Sequence, residues 1–306
     1  KELRRMRRES SPYIKQDENV IRHIEAEERQ KANIVRYLND HADVPAFENT
    51  EVTYFPTGEE NWKAILEELE KAEKYIFIEY FIVGPGKMWD SILDVLRRKA
   101  AQGVDVRLMY DGMGCLTRLP HNYPSKLTAM GIKCHVFNPF RPFMSTIQNN
   151  RDHRKIMVID GKTAFTGGVN LADEYVNITS PYGHWKDTAV MLRGEAVFSF
   201  AVMFLELWQI SEKKSVGSYE QFRPDALPEI SQPGYVAPFG DSPFDHELVG
   251  ETVYIDILSK AREYVHITTP YMIIDNEMIT ALGSAAKSGV DVKIIVPHRA
   301  DHWYAH

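Results

Sequence analysis

Cysteine is scarce in this sequence, with two residues, Cys115 and Cys134, among 306. Two cysteines are too few for the disulfide framework that holds many small secreted domains together. We therefore expect two buried free thiols in a reducing compartment, with a single bridge between them as the alternative.

Long apolar runs and an excess of positive charge are also missing. The strongest hydrophobic run, Ala196 to Trp208, is shorter than a membrane span and contains Glu206, so it predicts a buried core helix. The formal net charge of -7 argues against a general nucleic-acid binder, which normally carries a basic excess. The basic segment Lys1 to Arg8 fits a solvated leader, or the positive flank of a membrane segment that precedes it.

The sequence does contain an alternation of helical and strand patterns. Residues from Trp62 to Ala72 have helical spacing, and Tyr75 to Val83 is a β-branched and aromatic run typical of a buried strand. A helix from Ser91 to Ala101 follows, with Ser91 as its N-cap and Gly103 as its stop, and then a strand from Val104 to Tyr110. This order predicts an α/β fold with a parallel sheet covered by helices.

The same pattern returns late in the chain. Lys71 to Tyr75 is echoed by Lys260 to Tyr264, and Gly103 to Val106 is repeated as Gly289 to Val292. The two offsets are 189 and 186 residues, and a predicted strand and helix lie between the landmarks in each copy. Two matches in register predict a duplicated unit.

These patterns divide the chain into four segments. Residues 1-50 are charge-rich, with a helical patch from Val20 to Leu38, and are expected to be an N-terminal helical leader near a membrane. Residues 51-214 are predicted to form the first α/β half, and 248-306 the start of the second. Between them, residues 215-247 hold five prolines and predict an irregular linker.

The part of the chain that carries the chemistry is a predicted hairpin at residues 152–170. Asp160-Gly161 between two apolar runs predicts its tight turn. His153 and Lys155 share one face of the first strand, and the return strand places Gly167-Gly168 and Asn170 roughly opposite them.

This grouping of an imidazole, an ammonium and an amide over a glycine pair suits a phosphate diester. The imidazole can attack phosphorus or protonate a leaving oxygen, while the other groups bind the non-bridging oxygens. The glycines allow close approach of the backbone. The alternative is an ordinary hairpin with surface His and Lys side chains, which the long and specific spacing disfavours.

The spacing H-x-K-x-x-x-x-D followed by G-G-x-N resembles the signature of the phospholipase D superfamily, and its surroundings resemble the bacterial cardiolipin synthases. The shared segments are Glu79 in a strand, Asp111-Gly112-Met113-Gly114-Cys115 with cysteine in place of serine, Asn138-Pro139-Phe140, Asp173-Glu174-Tyr175 and Trp185-Lys186-Asp187. The similarity runs from about Val52 to the chain end. It implies the phospholipase D fold, a pseudo-twofold duplication of βαβ units with mixed sheets, flanking helices and an active site between the halves.

The resemblance also implies roles for the motif residues. His153 would be the nucleophile that forms a phosphohistidine, or the general acid, while Lys155 would hold the phosphate and Asn170 would assist. Asp187 would hydrogen-bond the far nitrogen of His153 and fix its tautomer. Asp160 is grouped with these catalytic residues, although its strand parity indicates a structural role at the turn.

Substrate-binding roles are expected for Gly167, Gly168, Glu79 and Asp111. Glu79 and Asp111 are included because they lie near strand ends, where ligands of α/β sheets gather. The alternative for both is an ordinary charged residue at the edge of a sheet.

The implied reaction joins two phosphatidylglycerol molecules into cardiolipin and releases glycerol, with no metal or other cofactor. The expected partners are an anionic phospholipid, a membrane surface and, as an option, a second copy of the chain, but no nucleic acid. The expected location is the cytoplasmic face of a bacterial cell membrane, reached through an N-terminal anchor outside this sequence. A hydrolytic phospholipase D and a nuclease of the same superfamily are the rival enzymes.

The family pattern is met only once in this sequence. Two such motifs are normally needed, and by the spacing of the first repeat the second histidine would fall beyond His306. We therefore expect the sequence to be incomplete at its C-terminal end. A dimer that supplies a second copy of the first motif is one alternative, and a catalytically incomplete scaffold is the other.

Two further groups of residues lie outside the motif. The histidines His298, His302 and His306 would align on a helix as metal ligands do, but we interpret them as incidental and predict no metal site. An aromatic loop before the motif is expected to line an acyl-chain entrance or touch a bilayer, with packing onto the core as the alternative. Its members are Phe137, Phe140, Phe143 and Met144.

Overall fold

The computed structural model describes residues 2–139, 150–227, 229–241 and 247–298. The helices are α1 (Glu2–Ser10), α2 (Glu18–Ala42), α3 (Gly58–Leu69), α4 (Lys87–Ala101), α5 (Tyr123–Ala129), α6 (Val197–Glu212), α7 (Val249–Lys260) and α8 (Asn276–Lys287). The strands are β1 (Thr50–Phe55), β2 (Tyr75–Tyr80), β3 (Asp105–Asp111), β4 (Lys133–Phe137), β5 (Lys155–Ile159), β6 (Thr163–Gly167), β7 (Ala189–Gly194), β8 (Tyr264–Thr268) and β9 (Asp291–Ile295). Short 3-10 turns cover Ser11–Tyr13, Asp173–Val176 and Tyr219–Phe222.

Seven strands form one mixed sheet in the order β1-β7-β6-β5-β2-β3-β4. The strands β2, β3 and β4 run parallel, as the strand, helix, strand pattern predicts. β5 pairs antiparallel with β2 and begins the antiparallel part of the sheet, which continues through β6 and β7 to β1. A separate parallel pair contains β8 and β9.

Both faces of the seven-stranded sheet are covered, which explains the continuous apolar run in β2. Ile76 and Ile78 belong to the core under α3 and α4, whereas Tyr75 and Phe77 belong to the core under α6. Within α6, buried side chains surround the helix from Val197 to Gln209, interrupted by the half-buried Met203. The prediction of a buried core helix here is confirmed. No helix in the described ranges combines the length and the apolar character needed to cross a bilayer.

The duplicated unit is visible as two strand, helix, strand arrangements with matching detail. β2 pairs with β3 from Tyr75 opposite Asp105, and β8 pairs with β9 from Tyr264 opposite Asp291. The glycines that end the two helices, Gly103 and Gly289, have φ values of 94° and 95°. The difference of three residues between the offsets equals the difference between the 15 residues of α4 and the 12 of α8.

The start of α4 corrects one prediction. The helix begins at Lys87, not near Ser91, whose hydroxyl donates to the Met88 carbonyl inside the helix. The carboxylate that caps the helix comes from Asp173, which accepts hydrogen bonds from the backbone N–H groups of Lys87 and Met88 at 3.0 and 2.8 Å. A cap from a residue more than eighty positions away leaves no local signal in the sequence.

Other predicted elements differ at their ends or lie outside the described ranges. The N-terminal helix is longer than predicted, Glu18–Ala42, and Glu28 has non-helical backbone angles at a kink. The strand predicted to reach Val83 ends at Tyr80. Cys115 and Cys134 are free thiols, so the alternative of a bridge between them is wrong. The side chains of Phe140, Phe143, Met144, His302 and His306 lie outside the described residues.

Candidate active site

The motif residues lie together at one end of the strands of the seven-stranded sheet. The parallel strands β2, β3 and β4 end there, and β5 begins there because it runs antiparallel to β2, with Lys155 opposite Tyr80. β6 ends at the same edge, with Gly167 opposite Ala189 of β7. The turn at the far end of the hairpin has left-handed backbone at both Asp160 (φ 52°) and Gly161 (φ 67°), as a type I′ turn requires.

His153 and Lys155 are in direct contact at this edge. The ammonium nitrogen of Lys155 donates to the His153 carbonyl at 2.6 Å and lies 3.1 and 3.3 Å from the two imidazole nitrogens. The ring of Phe81 packs against both side chains, with its centroid 4.7 Å from that of the imidazole and 5.6 Å from the ammonium. His153 is exposed and Lys155 is buried, so the pair presents an imidazole outward over a buried cation.

The protonation states follow from this placement. Burial lowers the pKa of Lys155 to about 8, against the attraction of the Asp187 and Asp152 carboxylates. Partial burial, assisted by the Lys155 charge, lowers the pKa of His153. Near neutral pH the lysine is therefore mainly charged and the imidazole mainly neutral, which is the form able to attack phosphorus.

Asn170 is held in place by the end of the neighbouring strand. Its side-chain carbonyl accepts a hydrogen bond from the Ile82 backbone N–H at 3.0 Å, and its side chain also bonds Tyr175. The amide is nearly completely buried. Its orientation is thus set by the protein before any ligand arrives.

The glycine pair makes room for Asp187. A Cβ atom on Gly168 would lie 2.0 Å from Asp187 Oδ1, and one on Gly167 would lie 2.6 Å from the Thr188 carbonyl oxygen. Both glycines remain exposed on their outer side. Their predicted contact with substrate stays a prediction, but the structure supplies a separate packing reason for them.

We expect Gly168→Ala to displace Asp187 and to destabilise the protein by about 1–3 kcal/mol, because the added methyl group overlaps a carboxylate held by hydrogen bonds. The measurement is the free energy of unfolding in denaturant. Gly283→Ala is the matched control, since its Cβ meets nothing within 4 Å in α8, and it should stabilise by roughly 0.5–1 kcal/mol. Equal effects of the two substitutions would contradict the overlap argument.

Asp187 does not show the predicted hydrogen bond to His153. Among the described residues its carboxylate accepts from the Thr188 backbone N–H at 2.8 Å and from Trp185 Nε1 at 3.3 Å. Burial raises the pKa of Asp187, and the Lys155 ammonium opposes this, so the aspartate acts electrostatically on the lysine in this structure.

Asp160 has a structural role in this arrangement. It lies at the opposite end of β5 from Lys155, and its carboxylate accepts hydrogen bonds from the backbone N–H groups of Glu73, Lys74 and Tyr75, all at 2.8 Å. It therefore holds the start of β2 against the hairpin turn. Its grouping with the catalytic residues is not supported by this position.

Asp111 is completely buried. Its carboxylate accepts from the backbone N–H groups of Met113, Gly114 and Asp152 at 2.8, 2.9 and 3.0 Å. The predicted substrate contact of Asp111 stays a prediction. Asp111 joins the loop after β3 to the residue that precedes His153, and so it is a positioning residue for the motif.

Glu79 is also completely buried, and it lies on the other face of the sheet from Lys155. Arg154 Nε lies 2.6 Å from Glu79 Oε1, although neither carboxylate oxygen has a well-directed hydrogen bond in the described ranges. Burial raises the pKa of Glu79 against the attraction of Arg154. The predicted substrate contact of Glu79 stays a prediction, and the structure gives the carboxylate a contact with Arg154.

Arg154 and Asp152 are site residues that the sequence reasoning missed. Arg154 lies between His153 and Lys155 but points to the other face, where Glu79 lies, and Asp152 Oδ1 is 3.5 Å from its Nε. The signal was available: Arg154 and Glu79 have the same facing on strands that pair as neighbours. A glutamate and an arginine at such positions are predicted to form an ion pair.

The sequence profile described as "Cardiolipin synthase, PLD-like domain" matches residues 65–198 and 254–306. The chain belongs to this family. The two matched segments contain the two strand, helix, strand units, which agrees with the duplication seen in the structure.

Relatives in this family extend beyond the chain. A cardiolipin synthase from Geobacillus thermodenitrificans is 37% identical over 245 residues, which are 80% of this chain and 48% of that protein. An uncharacterized protein from Streptococcus mutans is 50% identical over 286 residues, 94% of this chain and 62% of that protein. The chain thus spans about half to three fifths of the length of these relatives.

The fold agrees with that of a solved structure of low sequence identity. Phosphatidylserine synthase from Haemophilus influenzae superposes with a TM-score of 0.60 at 16% identity, over 85% of this chain and 65% of that one. At this identity the similarity concerns the fold. The chain has the phospholipase D fold, with a large mixed sheet flanked by helices.

Proposed function

We propose that this chain carries one half-site of a phosphatidyltransferase that joins two phosphatidylglycerol molecules into cardiolipin and releases glycerol. The observation that carries the proposal is the contact between His153 and Lys155 at an open edge of the sheet. A neutral imidazole beside a buried ammonium can attack a phosphodiester while the cation neutralises the developing charge on its oxygens.

The proposed reaction has two steps. In the first, an imidazole nitrogen forms a bond to phosphorus as the bond from phosphorus to the glycerol oxygen breaks, and a general acid gives that oxygen a proton. In the second, the hydroxyl of another phosphatidylglycerol attacks, the bond from phosphorus to nitrogen breaks, and the proton returns to the same group. His153 takes the role of nucleophile or of general acid, and a second histidine takes the other.

The substrate would be an anionic phospholipid presented at the surface of a membrane. Similarity to cardiolipin synthases and the family of the chain support a lipid substrate. A phospholipase D that uses water in the second step is the second candidate, because an exposed His153 is also open to water. The net charge of -7 disfavours the nuclease.

Removing the imidazole with His153→Ala should abolish lipid turnover, with a rate loss of at least about 10⁴-fold, because the covalent step then has no nucleophile or no acid. The measurement is mass spectrometry of the products after the full-length gene product meets phosphatidylglycerol vesicles. Cardiolipin and glycerol from the unchanged protein establish the transferase, and phosphatidic acid alone establishes the hydrolase.

His23→Ala is the control, since His23 is an exposed residue of α2 that contacts Glu48. It should leave turnover within about twofold, as expected for a surface substitution away from the site. Lipid turnover by the His153→Ala variant would contradict the proposal, and so would the absence of any lipid product from the unchanged protein.

A further inference from the structure

Phe81 is the first residue after β2, and its ring contacts both members of the reactive pair. The ring centroid lies 4.7 Å from that of the His153 imidazole, with the two planes tilted by 51°, and 5.6 Å from the Lys155 ammonium nitrogen. Both distances lie within the ranges at which an aromatic ring attracts another ring or a cation. The reaction proposed above gives this ring no role of its own.

The backbone of Phe81 is fixed on one side by the thiol of Cys115, in the loop after β3. The thiol donates to the Phe81 carbonyl oxygen at 3.6 Å, and its sulfur accepts from the Val83 N–H at 3.2 Å. The thiol is buried, and burial raises its pKa to about 12, so it stays protonated and keeps its donor. A Cβ atom on Gly114 would lie 2.2 Å from the Phe81 carbonyl oxygen, so the loop packs closely against this residue.

The other side of the same segment is fixed by the residues that follow β6. The Ile82 N–H donates to the side-chain carbonyl of Asn170 at 3.0 Å, and the Ile82 carbonyl accepts from the Leu171 N–H at 3.1 Å. The Gly84 N–H donates to the Leu171 carbonyl at 2.9 Å. Together with the two contacts of the thiol, these bonds hold residues 81–84 between two loops. The position of the Phe81 backbone is therefore set by the fold.

A ring held in this way restricts the imidazole that it contacts. His153 is exposed, so a side chain at this position without a neighbour would be free to change rotamer. The ring of Phe81 packs against the imidazole and opposes such changes. Because a reacting group that is already oriented loses less entropy on reaching the transition state, this contact favours the step at phosphorus.

The same ring also acts on the charge of Lys155. Since the face of an aromatic ring attracts a cation, Phe81 stabilises the ammonium against the burial that lowers the pKa of Lys155 to about 8. With a pKa this close to neutral pH, a small loss of stabilisation changes the charged fraction of the lysine. The ring therefore favours the cation that the proposed reaction requires.

We propose that Phe81 is a positioning residue of this site, whose ring orients the His153 imidazole and stabilises the Lys155 ammonium. Its effect on the rate rests on the proposed function, whereas its effect on the lysine needs no substrate. Removing the ring should lower kcat more than it changes KM, because the geometry of the reactive pair matters in the transition state more than in lipid binding.

The test compares Phe81→Leu, Phe81→Tyr and Phe198→Leu in the full-length gene product. Leucine keeps an apolar side chain but removes the aromatic face, whereas tyrosine keeps that face. Phe198→Leu is the matched control, because Phe198 lies in the first turn of α6 with its ring centroid 4.1 Å from the guanidinium carbon of Arg223. NMR of ¹³C-labelled lysine side chains gives the pKa of Lys155, whose signal is assigned by its loss in Lys155→Met. Kinetics on phosphatidylglycerol vesicles give kcat and KM.

For Phe81→Leu we expect the pKa of Lys155 to fall by about 0.5, the size of an ordinary contact between a cation and an aromatic face. We expect kcat to fall about tenfold, with KM within about twofold. Phe81→Tyr should keep the pKa of Lys155 and hold kcat within about twofold of the unchanged protein, since the aromatic face remains. Phe198→Leu should change neither quantity.

The melting temperature separates this role from a general loss of packing. Both leucine variants remove packed ring atoms and should melt below the unchanged protein, but only Phe81→Leu should change the pKa of Lys155 and kcat. An unchanged pKa of Lys155 or an unchanged kcat in Phe81→Leu would overturn the positioning role and leave the proposed function standing. No lipid turnover by the unchanged protein would overturn the proposed function and the effect on rate, while the pKa of Lys155 would still decide whether the ring acts on the lysine.

Discussion

Lys155→Met should lower kcat/KM for lipid turnover by about 10³-fold, because it removes a buried cation that contacts the imidazole of His153. The side chain is nearly fully buried, so no solvent-exposed lysine can take its place by a change of rotamer. Steady-state kinetics on phosphatidylglycerol vesicles give the value. Lys162→Met is the matched control, since Lys162 is exposed at the turn of the same hairpin, and it should leave kcat/KM within about twofold.

The conservative variant sharpens this prediction. Lys155→Arg keeps the charge, but the ammonium occupies a compact position between the His153 carbonyl, the imidazole and the ring of Phe81. A planar guanidinium is wider and needs several oriented acceptors, so we expect at most a partial rescue. Full activity in Lys155→Arg would show that charge alone is required.

The pH dependence of the reaction tests the same residue. With a pKa of about 8, Lys155 loses its charge as the pH rises through 8, so kcat/KM should fall on the alkaline side. The lowered pKa of His153 affects the acidic side of the profile. Because the imidazole becomes protonated only at a pH below the usual histidine range, a nucleophilic His153 stays neutral and active in mildly acidic solution. A profile that is flat from pH 7 to 9.5 would contradict the placement of a titrating lysine at the site.

Arg154→Met should destabilise the fold by about 3 kcal/mol, because it leaves Glu79 buried without its cation. This loss of stability is at the low end of the range for a broken buried ion pair, because the Arg154 side chain is 29% exposed. The free energy of unfolding in denaturant gives the value. Arg97→Met, which breaks an exposed pair with Asp94 on α4, should change it by less than about 1 kcal/mol.

A double substitution separates the ion pair from simple packing. Glu79→Leu with Arg154→Met replaces both charges by apolar groups and should recover much of the stability that Arg154→Met loses, as buried pairs often do. If the double variant is instead as unstable as the sum of the two single variants, the charges do not interact and the argument from the 2.6 Å contact is wrong.

Several features of this protein were predictable from local sequence. The Asp160-Gly161 turn predicts a type I′ hairpin, since few dipeptides accept two left-handed residues, and the structure has that backbone. The duplication was predictable because two sequence matches keep the same register, and the structure repeats it down to the glycine that ends each helix. His153 and Lys155 were predicted to meet because alternate residues of one strand share a face.

Other features were not accessible to local reasoning. The cap of α4 is Asp173, a residue that follows the hairpin in the chain, and no pattern near Lys87 indicates it. Asp111 was expected to bind substrate because it ends a strand, but its carboxylate is taken by three backbone N–H groups. Asp187 was expected to orient His153, but Trp185 and Thr188 take its oxygens.

The sequence by itself determined the elements whose signals are short in range: turn chemistry, strand periodicity, the buried character of α6 and the identity of the reactive pair. The tertiary structure decided which polar groups form hydrogen bonds within the protein and which stay accessible to a ligand. This division has a physical cause, since a buried carboxylate must find donors wherever the chain brings them. Asp111 and Asp160 found theirs inside the protein, whereas His153 is exposed.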